Sequence, residues 1–136
     1  MKLNPYLNFA GNAEEAVNFY KNALGGEVVM LSRFGDSPMP SDDDWKQKIM
    51  HARIVFGGDN IIMISDTMKG NEISTKGNIQ LSIGLDDEAK THEIFGKLSE
   101  GGTVTMPLAK QFWGAIFGMF KDKFGVNWMI NCEEKK

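Results

Sequence analysis

The side chains best suited to chemistry on a small molecule lie in the first half of this chain. His51 opens the run HARIVF and Arg53 follows two positions later, so on an extended strand both point to the same side. An imidazole beside a permanently charged guanidinium suits an anionic or carbonyl-bearing ligand. The other histidine, His92, falls on a predicted second helix at the position matching Ala16 and reads as a partly buried or solvated helix residue. Neither histidine has a second His or Cys at metal-ligand spacing, so spacing predicts no metal site. There is no serine nucleophile elbow, no Walker-type phosphate loop and no dinucleotide-binding glycine motif. Cys132 lies near the C-terminus on the core face of a predicted strand, which makes it a packed thiol rather than a nucleophile. Asp42, Asp43 and Asp44 are expected to open a solvated helix leading into Trp45, since a calcium loop needs more oxygen ligands at regular spacing. The last signal is aromatic. FWGAIFGMF interleaves Phe112, Trp113, Phe117, Met119 and Phe120 with Gly114 and Gly118, and glycine in a strand marks a bend or a close approach. Some of these rings belong to a core and others to a pocket wall, with Phe117 and Met119 expected on the face of Arg53 and Val55.

A frame must position those residues, and its size is set by composition. A chain of 136 residues with 42% hydrophobic and 24% charged residues has the length and usage of one globular domain. Nine Phe, three Trp and nine Met are too many for a disordered chain. A net charge of −3 gives no electrostatic reason to expect nucleic acid or an anionic membrane surface as partner. One cysteine excludes an internal disulfide framework, and the start MKLNPYLNF lacks the apolar stretch of a signal peptide. No run approaches the roughly 18 apolar residues that span a bilayer. These features point to a cytoplasmic protein.

The frame is repeated. A shift of 76 residues places Leu7, Phe9, Phe19, Gly25, Gly26, Val28 and Met30 on Ile83, Leu85, Phe95, Gly101, Gly102, Val104 and Met106. Further along, the offset falls to 66, where Met63-Ile64 lies over Met129-Ile130; the difference is an extra stretch, roughly Gly35 to Lys46. Each half reads as strand, helix and three further strands. Asn12 with Glu15 three residues on resembles a capping box, and Ala13, Ala16, Val17, Tyr20, Ala23 and Leu24 follow at helical spacing up to Gly25-Gly26. The second helix is expected to start at Asp86 or Asp87, to turn Ala89, Phe95 and Leu98 inward, and to stop at Gly101-Gly102. Strands alternate with period two: Ile79, Leu81, Ile83 and Leu85 against Asn78, Gln80 and Ser82; Val126, Trp128, Ile130 and Cys132 against Asn127, Met129 and Asn131; Leu3, Pro5, Leu7 and Phe9 against Asn4, Tyr6 and Asn8. One face is apolar and the other uncharged and amide-rich, which predicts a sheet curled round a sheltered, polar cavity.

Two βαβββ halves, with YLNFAGNAEEAVNFYKNALGGE near the N-terminus and QFWGAIFGMFKDKFGVNWMIN near the C-terminus, resemble the vicinal oxygen chelate superfamily of glyoxalase I, extradiol dioxygenases and bleomycin-resistance proteins. Through MHARIVFGGDNIIMISD and FWGAIFGMFKDKFGVNWMIN the chain is most similar to the PhnB-like subgroup, over essentially its whole length. The resemblance implies an α+β fold: two tandem βαβββ modules forming a curled, mixed, mostly antiparallel sheet with a central cavity and the helices outside. It implies one domain over 1–136, with pseudo-repeats at roughly 1–70 and 75–136, and a homodimer. In the superfamily's enzymes a divalent metal is held by His, Glu, His and Glu. Those positions transfer to Asn4 (Tyr6 or Asn8 if the strand slips), Met63, Asn78 and Met129. Amides and thioethers are poor ligands for a catalytic divalent cation, so no metal and no cofactor is expected.

The resulting expectation is a small-molecule-binding protein without the metal site. Its candidate contacts are Tyr6, Asn8, His51, Arg53, Met63, Asn78, Gln80, Trp113, Phe117 and Met129. A second reading is a lyase or isomerase with His51 as general base near a carbonyl polarised by Arg53. A third is a structural or interaction dimer without a ligand.

Overall fold

Phe9 is the last residue of a short strand, and the chain must turn there before Ala13 opens a run with apolar residues at helical spacing. A computed structural model describes residues 1–38, 40–74 and 77–133; Met39, within the Gly35–Lys46 stretch, and the ends of the expected second repeat lie outside them. The chain forms two compact units, 1–74 and 75–136.

The first unit contains β1 (Tyr6–Phe9), α1 (Ala13–Leu24), β2 (Glu27–Arg33), β3 (Ile49–Phe56) and β4 (Asn60–Asp66). The second repeats the plan with β5 (Leu81–Leu85), α2 (Glu88–Ser99), β6 (Thr103–Lys110), β7 (Ile116–Lys121) and β8 (Asn127–Cys132). Hydrogen bonding divides the strands into two four-stranded sheets, ordered β1-β4-β3-β2 and β5-β8-β7-β6. In each, the first strand runs parallel to the last of its unit and the remaining pairs are antiparallel. The expected α+β fold of two βαβββ modules is therefore present, with its strands in two sheets rather than one.

Strand register is the same in the two units. Tyr6 pairs with Met63 and Ser82 with Met129, while Arg53 pairs with Met63 and Met119 with Met129. Each offset read from the sequence thus holds in the strands. The helices differ by one residue, because their N-caps are Asn12 and Asp87. Tyr20 rather than Phe19 therefore matches Phe95, and His92 matches Val17 rather than Ala16. Tyr20 and Phe95 are both buried.

Each sheet buries one face beneath its helix. Ala52, Ile54, Ile62 and Ile64 pack under Ala13, Ala16, Val17 and Tyr20 in the first unit; Phe120, Trp128, Ile130 and Cys132 pack under Ile94, Phe95 and Leu98 in the second. Removing such a core aliphatic side chain typically costs about 2–5 kcal/mol. Gly26 and Gly102 let each chain pass close to a neighbouring carbonyl. A Cβ there would stand 2.8 Å from Val55 O and 2.2 Å from Lys121 O.

Several local expectations are corrected. β1 starts at Tyr6, since Pro5 has no N–H to donate, although its carbonyl still accepts from Met63 N at 3.0 Å. β5 starts at Leu81 because the backbone of Val126, one step before β8, is turned toward Asp122, to which it both donates and accepts. Ile79 is consequently exposed, as are Asn78 and Gln80. Ala89 is exposed too, and Thr91 and Ile94 take the inward positions. Asp42 to Asp44 lead into a turn, not a helix, and pair with Lys69 and Lys46. Asn12 makes no side-chain cap; the buried carboxylate of Asp66 does that work from β4, with Oδ1 accepting from Gly11 N and Ala13 N at 2.8 and 3.0 Å.

Candidate functional site

Burial of Ala52 and Ile54 under α1 forces their neighbours His51 and Arg53 to the opposite face of β3. That face is built from four strands. Tyr6 and Asn8 stand on β1, Met63 and Ser65 on β4, His51 and Arg53 on β3, and Met30 and Ser32 on β2. Met63 lies opposite both Tyr6 and Arg53, Met30 opposite Arg53, and Ser32 opposite His51.

The Tyr6 hydroxyl reaches across β4 to His51, with Oη 3.1 Å from Nδ1 and ring centroids 5.6 Å apart. A phenol that donates to Nδ1 fixes the imidazole proton on Nε2 and fixes the ring's orientation. Ser65 Oγ donates to Asn8 Oδ1 at 3.3 Å, which orients that amide. Ser32 Oγ is buried with no hydrogen-bond partner among the described residues, a polar group beside His51 in the register. Tyr6 is 43% exposed and His51 half-buried, so the cluster is reachable from outside. The first unit thus brings together Tyr6, Asn8, His51, Arg53 and Met63.

The same face of the second unit is different in kind. Phe117 stands where His51 does, Met119 where Arg53 does, and Ser82 where Tyr6 does. Met129 lies opposite Ser82 and Met119, and Asn131 lies opposite Phe117. Trp113, from the turn before β7, meets Phe117 at 6.1 Å between ring centroids, and Phe112 is almost wholly exposed beside it. Phe117, Met129 and Trp113 therefore belong to an apolar face. Asn78 and Gln80 precede β5 and are joined to neither face. Ser32 and Ser65 join these faces without being among the candidate contacts, and so does Asn131, which the alternation of the last strand places on the amide-rich face. Period two reaches Ser65 and Asn131 from Met63 and Met129, whereas nothing in the sequence signals the buried state of the Ser32 hydroxyl.

The metal positions implied by resemblance, Asn4, Met63, Asn78 and Met129, fall two in each unit. Asn4 and Asn78 lie outside the strands, and register sets Met63 against Tyr6 and Met129 against Ser82. Among the described residues no three of His, Cys, Asp and Glu come together as a metal would need. Thioethers, amides and a phenol do not fit a catalytic divalent cation. Cavities of about 570 Å³ beside Trp45 and about 770 Å³ beside α2 are lined by none of the residues of this face.

The family model described as 3-demethylubiquinone-9 3-methyltransferase matches residues 1–131. Protein YjdN of Escherichia coli (strain K12) is 33% identical over 100% of this chain and 98% of its own length. The crystal structure of protein PA1353 from Pseudomonas aeruginosa shares 44% identity and a TM-score of 0.88, covering 99% of both chains. A PhnB protein from Bacillus cereus shares 28% identity and a TM-score of 0.80 over 97% of this chain and 99% of its own. In fold alone the chain also matches a glyoxylase/bleomycin resistance protein/dioxygenase domain from Frankia sp. EAN1pec, at 14% identity and TM-score 0.70, covering 98% of this chain and 97% of that one. The chain belongs to the 3-demethylubiquinone-9 3-methyltransferase family and shares its fold with a glyoxylase/bleomycin resistance protein/dioxygenase domain.

Proposed function

We propose that the chain binds a small, partly apolar molecule carrying a carboxylate or carbonyl, on the helix-free face of the first unit, without a catalytic metal. The observation that carries this reading is the Tyr6–His51 hydrogen bond beside Arg53. It supplies an oriented imidazole and a fixed positive charge, and Met30 and Met63 flank the guanidinium with apolar surface. Trp113, Phe117 and Met129 would offer apolar contact on the second unit's own face. A homodimer is part of the same proposal. No helix among the described residues is long and apolar enough to cross a membrane.

The family description names methyl transfer. The turns entering α1 and α2 contain a single glycine, Gly11, instead of the glycine-rich strand-to-helix turn of nucleotide-binding folds. These residues do not fit S-adenosylmethionine, and methyl transfer forms no part of the proposal.

Phenylpyruvate, with a ring, a ketone and a carboxylate, is the test probe. It is expected to shift the NMR signals of Tyr6, His51, Arg53 and the Met63 methyl group saturably. Arg53→Ala should weaken binding about tenfold or more. Signals that stay unmoved by phenylpyruvate and by a wider panel of aryl carboxylates and ketones would end the proposal.

A second reading is favoured by the same hydrogen bond, since a histidine oriented by a phenol is arranged for general base catalysis. His51 would abstract a proton next to a carbonyl polarised by Arg53. Hydrogen–deuterium exchange at the phenylpyruvate methylene decides it. His51→Ala that binds but no longer accelerates exchange supports catalysis, and unchanged exchange removes it.

A further inference from the structure

The two units follow one plan, and a difference between them marks a second site. Thr67 N donates to Phe9 O in the first unit, and Glu133 N donates to Leu85 O in the second, at 2.7 and 3.2 Å. These strand ends therefore correspond residue for residue. In the first unit, the cleft between this strand end and the start of α1 is filled from the extra stretch and its end. The Trp45 indole comes within 3.2 Å of where a Gly11 Cβ would stand, and its Nε1–H donates to Thr67 O at 3.1 Å. Lys48 Nζ donates to Gly11 O at 2.8 Å and sits 5.6 Å from the centre of the indole. Ala13, Ala16 and Val17, on the adjoining turns of α1, are at most 1% exposed.

The second unit has no such stretch. Only a short turn, closed by Gln111 N donating to Ala115 O at 2.8 Å, joins β6 to β7. The corresponding cleft is an open cavity of about 770 Å³. Glu88 and His92, which match the buried Ala13 and Val17, are exposed and line it. Leu108, Ile116 and the buried Cys132 supply apolar lining.

We propose that this cleft binds a small amphipathic amine, an aromatic ring bearing a protonated alkylamine, in the place that Trp45 and Lys48 fill in the first unit. The volume is in the range of small-molecule sites. The ring would lie on the apolar lining, and the ammonium would meet backbone carbonyls of the strand-to-helix turn, as Lys48 does at Gly11. The rim adds the complementary charge. Among the described residues, Asp86, Glu88 and Glu133 face one lysine, Lys110, and His92 Nε2 stands 4.0 Å from Glu88 Oε1, while Asp87 caps α2 by accepting from Lys90 N at 2.9 Å. The positive end of the α2 dipole opposes a cation, but Lys48 occupies the same position on α1 through a carbonyl contact. Its lining shares no residue with the His51 face, so it does not rest on ligand binding there.

Tryptamine is the probe, titrated into the full chain and followed by amide NMR. It is expected to shift Glu88, His92, Ile116 and Glu133 saturably. 3-Methylindole, lacking the ammonium, and ethylammonium, lacking the ring, should each bind at least about tenfold more weakly. Glu88→Gln with Glu133→Gln should weaken tryptamine about fivefold or more, and Ala89→Trp should block it by filling the cleft as Trp45 does. All three positions are exposed, so unchanged amide dispersion shows that the fold is kept. Tryptamine that leaves these amides unmoved at millimolar concentration, or moves those of Tyr6 and His51 instead, overturns the proposal. So does equal binding of 3-methylindole, or undiminished binding by the Ala89→Trp variant.

Discussion

Asp66 and Cys132 hold the same place in the two units, opposite Phe9 and Leu85 at the end of a parallel strand pair, yet only Asp66 ties the chain together. Its Oδ1 accepts from Gly11 N and Ala13 N, and its Oδ2 accepts from Ile49 N at 2.9 Å. One buried carboxylate thus joins the end of β4, the start of α1 and the point where the extra stretch re-enters the sheet. The second unit has no such stretch to anchor, and a buried thiol suffices there. Its own buried carboxylate, Asp122, is used elsewhere, accepting from Phe124 N, Val126 N and the Trp128 indole in the β7–β8 turn.

Asp66→Asn keeps the shape but replaces an acceptor with a donor facing backbone N–H groups. It should destabilise the protein by about 2–4 kcal/mol in urea unfolding. Cys132→Ala removes one buried sulfur and should cost only about 1–2 kcal/mol. Equal costs at the two positions would show that Asp66 does not carry this tie.

Gly26 and Gly102 predict a graded pair. Neither has a positive φ; their constraint is space, since an added Cβ meets Val55 O at 2.8 Å and Lys121 O at 2.2 Å. Both neighbours are backbone and cannot swing away. Gly102→Ala should therefore cost about 3 kcal/mol or more, and Gly26→Ala about 1–2 kcal/mol, measured as a shift in denaturant midpoint. The reverse order would contradict the register of the two β2- and β6-type edges.

Tyr6→Phe isolates the hydrogen bond on the open sheet face. The pair is solvent-accessible, so stability should change by less than about 0.5 kcal/mol. The imidazole should respond instead: loss of the phenol frees Nδ1, and the nitrogen shifts of His51 move toward a mixture of tautomers. Unchanged nitrogen shifts would mean that the phenol does not hold the ring.

Much of this was legible because two periodicities are strong. Alternation in HARIVF, IIMISD and VNWMIN located β3, β4 and β8 and put His51 and Arg53 on one face, and the 76- and 66-residue offsets survive in the strand registers. What was not legible depends on long-range contacts. The cap of α1 comes from Asp66, 53 residues from Ala13. Asn78 and Gln80 continue the period of β5 by sequence but lie outside the strand, because Asp122 engages the backbone of Val126. The one-residue slip between helices lies in the turns, where Ala10-Gly11 is matched by Asp86 alone. Trp45 followed three aspartates and read as a helix residue, while its indole N–H is drawn to Thr67.

The Glu14–Arg33 pair gives the pH prediction. Arg33 Nη1 and Nη2 donate to the two carboxylate oxygens of Glu14, and Nη1 also donates to Gln47 O at 2.6 Å. The hydrogen bond from Arg33 is the chief reason that the Glu14 carboxyl is held below its ordinary value of 4.5. A depressed carboxylate stabilises the folded state above its unfolded pKa and loses that contribution as pH falls through the folded value. The pair is partly exposed, so solvent screening limits it to about 0.5–1 kcal/mol near neutrality. Glu14→Gln should lower stability by that amount at pH 7, with the gap to the parent protein closing as pH drops below 4.5. Raising salt at pH 7 should narrow the same gap, because the interaction is screened. A gap that persists undiminished at pH 3 would mean that Glu14 acts through packing rather than charge.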